Sequence, residues 1–269
     1  PINLITGSQK GWWRMLHDVR KPDSYVHHLM ALASKHEVKT AEDVLNQQGA
    51  IIIPKGRVLT QEITDRIITH KLIKPLEAFL TIDDGLEGNK LLDIYSHMLE
   101  RNRDFQLFHH HLNLTEILKK ACHYYERYPL LVQKITVLKE RLPDIFKQAL
   151  FSAYVGMAIA HQMRATDEDC AAVFVAGLVH DIGMLHIDPR IILKKGDYSA
   201  EEWRGMQAHT VVGHCILRYV DKLPKTIATA VLEHHERCDG SGYPMGKKSS
   251  ELGMIGQIIG MTDTCLALY

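Results

Sequence analysis

The spacing of hydrophobic residues divides the chain into a short first part with β-prone runs and a longer helical part. In DVLNQQGAIIIPKGRVLT, two short β-prone runs lie around Gln48-Gly49 and Pro54-Lys55-Gly56, which is the punctuation of hairpin turns. Thr60 is placed to cap a helix, QEITDRIITHKL, whose isoleucines recur on one face. We therefore predict a small β-hairpin plus helix module over residues 37–80. The isoleucines of that face are Ile63, Ile67 and Ile68.

Beyond the stretch TIDDGLEGN, residues 81–89, which we interpret as a linker, almost every segment has helical spacing. One long helix is predicted from Asp144 to Met163, with Ala153, Gly156 and Ala160 as a small-residue face for close packing. Thr166 is placed to cap the next helix, DEDCAAVFVAGLVHD. Because no βαβ alternation is present, the predicted fold is mainly α: an all-helical bundle preceded by the small α+β module.

Charge and composition narrow the classes of function. Lys plus Arg and Asp plus Glu both total 32, so the formal net charge is zero, which argues against DNA and other generic polyanions as partners. The longest apolar run, Cys170–Val179, is too short to span a bilayer, and no secretion signal is evident. The five cysteines are scattered, as expected for free thiols in a reducing compartment. We therefore expect a cytoplasmic protein without a membrane span.

Histidine and aspartate recur at the ends of apolar segments. His180-Asp181, His209, His234-His235 and Asp263 follow or lie on four apolar predicted helices, where such groups are costly unless they are paired or bind metal. Imidazole and carboxylate without thiolate suit iron, manganese or a similar divalent ion, and their number exceeds one tetrahedral site. A single buried histidine is more often a hydrogen-bonded core residue. The residues alone therefore do not decide between a metal centre and a hydrogen-bonded polar core.

Three motifs carry a resemblance to a known family. HDIG at 180–183, His209, and HHExxDGxGYP at 234–244 resemble the HD-GYP family, a branch of the HD metal-dependent phosphohydrolases. The resemblance covers residues 144–269 and implies an all-helical HD-type catalytic domain there. It would follow an N-terminal regulatory module over 1–80 and a helical linker over 81–143. Such domains usually continue through further helices, which leaves a truncation at the carboxyl end open.

The resemblance also implies a site and a reaction. Asp181 would bridge two divalent metals, iron or manganese, with a third metal left open. His180 and Asp263 would serve one metal and His209, His234 and His235 the other, with His180 and Asp181 as catalytic residues. A hydroxide bridging the metals would attack a cyclic dinucleotide, chiefly cyclic di-GMP, giving pGpG or GMP. Substrate-binding residues would be Gly240, Gly242, Tyr243, Pro244 and Met184.

The chain departs from the family pattern at two places. A further histidine of the family falls on Gln148 in a gapless alignment, or on Phe151 in a local one; Gln148 offers a weaker neutral ligand and Phe151 none. Asp144 takes the place of a glutamate of trinuclear members, although helix capping after Pro143 is its competing role. Met184 replaces the usual lysine and removes a positive charge. The residues considered as substitutes for that charge are Lys194, Lys195 and Arg218.

These departures leave three hypotheses. The first is a metal-dependent cyclic di-GMP phosphodiesterase. The second is a degenerate domain that binds a cyclic dinucleotide or a protein partner without hydrolysis. The third is a phosphodiesterase for cyclic GMP-AMP. The expected partners are the cyclic dinucleotide, a diguanylate cyclase contacting the GYP loop, and a second copy of the chain in a homodimer.

Overall fold

The first part of the protein is a small α+β module. The computed structural model describes residues 24–33 and 35–267. Helix α1 and strand β1 come first, the hairpin β2–β3 and helix α2 follow, and a short 3-10 helix leads into β4. The bounds are α1 Ser24–Leu32, β1 Val38–Thr40, β2 Val44–Leu45, β3 Ile51–Ile53, α2 Gln61–Ile68, the 3-10 helix Leu76–Phe79 and β4 Leu80–Ile82.

The module confirms the predicted hairpin and helix. β2 and β3 are antiparallel around a turn in which Gly49 has a φ of 79°, a conformation that glycine adopts without strain. The Thr60 side chain accepts a hydrogen bond from the Ile63 N–H at 3.3 Å, but α2 ends at Ile68, before the predicted end. Residues 81–82 are not linker, because β4 pairs antiparallel with β1. Strands of three residues are too short to show a period in the sequence.

The rest of the described chain is a helical bundle, as predicted. Among the described residues after Ile82 there is no strand, and one isolated bridge joins Asp239 and Lys248. The long helices are α3 Gly88–Arg101, α4 Arg103–His111, α5 Thr115–Tyr125, α6 Pro129–Arg141, α7 Pro143–Gln162, α8 Asp167–Val179, α10 Ala200–Leu217, α11 Lys225–Glu233 and α12 Met254–Ala267. The short ones are the 3-10 helix Ile182–His186, α9 Pro189–Ile192 and the 3-10 helix Ser249–Glu251.

Helix α8 is the centre of the bundle. The Thr166 side chain caps it by accepting a hydrogen bond from the Asp169 N–H at 3.1 Å, and every residue from Cys170 to Val179 is buried. α7 packs against it through the predicted small-residue face, where a Cβ on Gly156 would lie 3.2 Å from Val173. By length and composition the segment Asp167–His186 passes as a membrane span, but 83% of its apolar window is buried here. α8 is therefore the core helix of the bundle.

A buried polar group ties the module to the bundle. The ammonium of Lys134 on α6, a side chain with no solvent exposure, lies 3.1 Å from Glu77 Oε1 and 2.8 Å from His186 Nε2. It also lies 3.2 Å from the centroid of the Tyr25 ring, and the Tyr25 hydroxyl donates to Gln133 Oε1 at 2.8 Å. We call these five residues the Lys134 cluster. His186 ends the 3-10 helix that begins just after Asp181, so the cluster connects the module to the HDIG segment.

Candidate metal centre

The structure brings together six histidine and aspartate residues from four parts of the bundle. His180 follows the last residue of α8, and Asp181 begins the next turn. His234 follows α11 directly, with His235 after it. Asp263 lies on α12. The sixth residue, His209, lies in the middle of α10 rather than near its end as predicted.

A glycine explains how a histidine in mid-helix reaches the centre. A Cβ on Gly183 would lie 2.0 Å from the His209 carbonyl oxygen and 2.9 Å from the Gly213 nitrogen, distances that no side chain tolerates. The backbone of the HDIG segment therefore lies directly on α10. This contact brings His209 within reach of Asp181 and makes α10 one wall of the centre.

Asp181 lies between the histidines. Its Oδ1 atom is 3.3 Å from His209 Nε2 and 3.7 Å from His234 Nε2, whereas its Oδ2 atom is 3.4 Å from His180 Nε2. The second carboxylate, Asp263, lies 3.7 Å from His180 Nε2 through Oδ1 and 3.7 Å from His235 Nδ1 through Oδ2. The two oxygens of Asp181 thus face different sets of imidazoles.

The backbone orients three of the imidazoles toward this carboxylate. The Nδ1 atoms of His180, His209 and His234 lie 2.7, 2.7 and 2.8 Å from the carbonyl oxygens of Gly177, Met206 and Val231. Each carbonyl belongs to the residue three positions earlier. An Nδ1–H that donates to a carbonyl leaves the lone pair on Nε2, which is how metal-binding histidines are usually held. All three Nε2 atoms face Asp181.

The charges of the centre favour an ionised carboxylate. Burial alone raises the pKa of Asp181, but the neighbouring His180 and His234 outweigh it and hold the pKa well below its usual range. Burial lowers the pKa of His209 to about 4, and burial with His234 lowers that of His235. For His180 burial acts in the same direction, yet Asp181 and Asp263 raise its pKa well above the ordinary value. Two carboxylates thus favour a positive charge beside His180 Nε2.

These donors fit a metal ion. His180 Nε2 and Asp181 Oδ1 are buried atoms without a hydrogen-bond partner, a costly condition that coordination relieves. The donor atoms of Asp181, His209, His234 and His235 all lie within 4.8 Å of one another. Imidazole nitrogens with carboxylate oxygens form a donor set for borderline or hard divalent ions.

The loop after the histidine pair is fixed to α11 by a buried glutamate. Glu236 accepts hydrogen bonds from the Met245 N–H at 2.7 Å and the Lys247 N–H at 2.9 Å. A Cβ on Gly242 would lie 2.3 Å from the Arg237 nitrogen, and Gly240 has a φ of 83°, so both positions require glycine. The peptide bond from Tyr243 to Pro244 is cis.

Tyr243 forms the wall of the centre on the side of this loop. Its ring stacks on His235 with centroids 4.8 Å apart and an interplanar angle of 29°. Burial and the two carboxylates of the centre raise the pKa of its hydroxyl, against the opposing charge of Arg237. Of the predicted substrate-binding residues, Tyr243 therefore has the clearest contact with the metal centre.

The residues at the departures lie outside the six-residue group. Gln148 is exposed on α7. Asp144 is 90% exposed, pairs with Lys147 at 3.0 Å and makes no capping hydrogen bond at the start of α7. Phe151 packs edge to face on Phe105, with ring centroids 5.8 Å apart. None of these contacts joins the described ligand cluster.

The structure shows where Met184 lies and where two of the residues considered as substitutes for the missing lysine lie. Met184 is half-buried and packs against the hydrophobic core. Lys194 is paired with Glu202 at 2.6 Å, and Arg218 follows the last residue of α10. A further cation near the site is Arg237, which donates to Thr264 Oγ1 at 3.0 Å and acts to lower the pKa of the Tyr243 hydroxyl. Sequence reasoning missed it although it stands inside the HHERCDGSGYP motif.

Comparison with known proteins shows the family to which the chain belongs. The model of the HD domain family matches residues 129–268, so the match includes α6 as well as the predicted catalytic domain. A cyclic di-GMP phosphodiesterase of Thermotoga maritima is 38% identical over 39% of this chain and 29% of its own length. A 3'3'-cGAMP-specific phosphodiesterase of Vibrio cholerae is 37% identical over 41% of this chain and 24% of its own length. A probable cyclic di-GMP phosphodiesterase of the same organism is 25% identical over 65% of this chain and 44% of its own length. The chain thus spans less than half of each of these relatives.

Proposed function

Because the chain belongs to the HD domain family and is of the HD-GYP type, we propose that it is a metal-dependent phosphodiesterase that opens cyclic dinucleotides. The observation that carries the proposal is the buried Asp181 carboxylate, faced by the Nε2 atoms of three oriented histidines. Relatives named for cyclic di-GMP and for 3'3'-cGAMP support this class of substrate. Cyclic di-GMP is the first candidate, with pGpG or GMP as product.

The proposed ligands divide between two metal positions. Asp181 would contribute to both positions, His180 and Asp263 would hold one ion, and His209, His234 and His235 would hold the other. Iron or manganese suits these donors. When bound, such ions lower the pKa of a coordinated water and neutralise phosphate oxygens.

The protein's own groups supply the rest of the chemistry. Asp181 stays ionised because its imidazole neighbours lower its pKa, and the carbonyl-bound Nδ1 atoms hold the imidazoles in one orientation. Tyr243 closes one side of the site by stacking on His235. Arg237 places a positive charge at the rim, where it attracts the phosphates of an approaching dinucleotide.

The test is turnover by purified protein loaded with iron(II) or manganese(II) without oxygen. Chromatography follows the loss of cyclic di-GMP and the formation of pGpG and GMP. We expect turnover in the wild type, loss of at least about 100-fold in Asp181→Ala, and wild-type rates in Asp93→Ala, a matched exposed carboxylate on α3. Absence of turnover with either metal in a chain that retains its bound metal would falsify the proposal.

A second candidate function is binding without hydrolysis. It is favoured by Met184, which gives no charge to phosphate, and by Gln148, which is exposed where the family has a further histidine. Calorimetry distinguishes the two. Dinucleotide binding by metal-loaded protein without product supports the binder, whereas turnover that Asp181→Ala abolishes rules it out.

The same experiment extends to substrate and partners. Parallel reactions with 3'3'-cGAMP compare the third hypothesis with the first. We also propose that a diguanylate cyclase contacts the GYP loop, that the chain forms a homodimer and that it is located in the cytoplasm. Pull-down of the cyclase by the wild type and by Met245→Asp, which changes an exposed loop side chain, tests the first interaction. Size-exclusion chromatography tests the homodimer.

A further inference from the structure

A row of aromatic rings leads from the metal centre to the surface. Tyr243, which stacks on His235, meets Trp203 edge to face with ring centroids 6.2 Å apart and planes at 76°. Trp203 in turn lies 6.2 Å from Tyr198, with the two planes inclined by 31°. We call Tyr198, Trp203 and Tyr243 the aromatic wall. Its inner end touches a proposed ligand and its outer end reaches solvent.

Trp203 is the exposed member of this wall. It lies in the first turn of α10, the helix that also carries His209, and 44% of its surface is exposed. Trp203 thus packs against two rings and still leaves nearly half of its surface free, close to the proposed site. Its π-face is available to a flat group of a ligand.

The turn that carries Trp203 is held rigid. Glu202 accepts from the Ser199 N–H at 2.7 Å while the Ser199 hydroxyl accepts from the Glu202 N–H at 3.2 Å, which is a capping box. Lys194 donates to the same carboxylate at 2.6 Å and, with Ser199, lowers the pKa of Glu202 to about 2. A platform already ordered before binding loses little entropy when a ligand stacks on it.

We infer that Trp203, with Tyr198 beside it, is a stacking subsite for one purine base of the substrate. The inference rests on the proposed function. In a cyclic dinucleotide the bases project outward from the ring of phosphodiesters. When a phosphate lies at the metal centre, a base that projects outward can therefore lie against the aromatic wall. Stacking is tolerant of base identity because every base has a π-face, so the subsite accepts guanine and adenine alike and does not choose between cyclic di-GMP and cyclic GMP-AMP.

The first test compares GMP with ribose 5-phosphate, which is the same ligand without its base. Calorimetry with manganese-loaded protein measures both affinities in wild type, Trp203→Ala, Trp203→Phe and Leu193→Ala. We expect Trp203→Ala to weaken GMP roughly 5- to 100-fold, the range of a lost base–aromatic stack, and to leave ribose 5-phosphate unchanged. Trp203→Phe keeps most of the affinity. Leu193, 71% exposed and not aromatic, is the matched control.

The second test uses fluorescence. The chain has three tryptophans, so the double substitution Trp12→Phe and Trp13→Phe leaves Trp203 as the one emitter. Stacked guanine quenches indole emission. We expect saturable quenching by GMP, with the affinity that calorimetry gives, and none by ribose 5-phosphate.

Equal GMP affinity in wild type and Trp203→Ala, or GMP binding without quenching, overturns the subsite. Neither readout requires hydrolysis, so failure of the phosphodiesterase assay and failure of the subsite are separate results. If turnover is present, the same variant raises KM for the cyclic dinucleotide far more than it lowers kcat, since Trp203 does not touch the reacting phosphate.

Discussion

At the scale of single residues, the close contact between Gly183 and α10 controls the shape of the metal centre. We predict that Gly183→Ala destabilises the protein by roughly 3 kcal/mol and abolishes tight metal binding, because its Cβ would overlap the His209 carbonyl. Urea unfolding and elemental analysis measure the two effects. Gly205→Ala on α10 is the control, because its Cβ would meet only the flexible end of the Ile191 side chain, at 3.1 Å. Unchanged metal content in Gly183→Ala contradicts the prediction.

A histidine outside the metal centre gives the protein a dependence on pH. His214 is held between helices by a 2.8 Å contact of Nδ1 with the Ala228 carbonyl. Burial, with Arg218, lowers its pKa against the opposing effects of this hydrogen bond and of Glu233. The unfolded chain, with an ordinary histidine pKa of about 6.5, therefore binds a proton that the folded chain does not. Stability is fully present above pH 6.5 and is lost as pH falls toward the lowered folded pKa.

We accordingly predict that His214→Gln, which keeps a donor but does not titrate, flattens the fall in unfolding free energy between pH 7 and pH 5. Urea titrations at fixed pH values measure the slope. His123→Gln, at an exposed position on α5, serves as the control and keeps the wild-type slope. A parallel loss of stability in wild type and His214→Gln would be incompatible with this account.

At the scale of elements, the Lys134 cluster fastens the amino-terminal module to α6 and to the HDIG segment. Removing one partner of a buried ion pair leaves the other charge uncompensated, at about 3–5 kcal/mol. We predict that Lys134→Met costs roughly this much and makes the module more sensitive to limited proteolysis, since the buried ion pair between Lys134 and Glu77 is then lost. Lys139→Met changes an exposed lysine of the same helix and is expected to change neither readout. The double variant with Glu77→Gln recovers part of the loss.

At the scale of the whole molecule, metal and folding are coupled. The centre collects buried donors from α8, α10, α11 and α12, so a metal bound there stabilises the native state alone. At 100 times its dissociation constant such a ligand contributes about 2.7 kcal/mol, or a rise in Tm of roughly 5–10 °C for a chain of this size. Thermal scans before and after chelation measure the shift. Asp181→Asn is expected to melt at one temperature in both conditions, and a chelation effect that persists in this variant contradicts the coupling.

The sequence predicted the parts of the fold whose signals are local. The hairpin turns, the capping threonines and the apolar run of α8 specify their own structure, and the HHERCDGSGYP motif pointed to the histidine pair of the candidate centre. The pairing of β1 with β4 and the Lys134 cluster join distant residues and leave no period to read. A lysine within a helix also looks like a surface residue until its partners are known. The central position of His209 depended on a backbone contact at Gly183 that no side-chain pattern reveals.

Glu236 restricts the movement of the GYP loop. Its carboxylate holds two N–H groups of the loop while its own backbone presses on Gly242, directly after the histidine pair. The loop cannot swing outward without carrying His235 with it. In the proposed reaction, substrate would enter and product would leave past a fixed wall, so we expect that opening of this loop does not set the turnover rate. Amide protons of Met245 and Lys247 should exchange with solvent as slowly as those of α11.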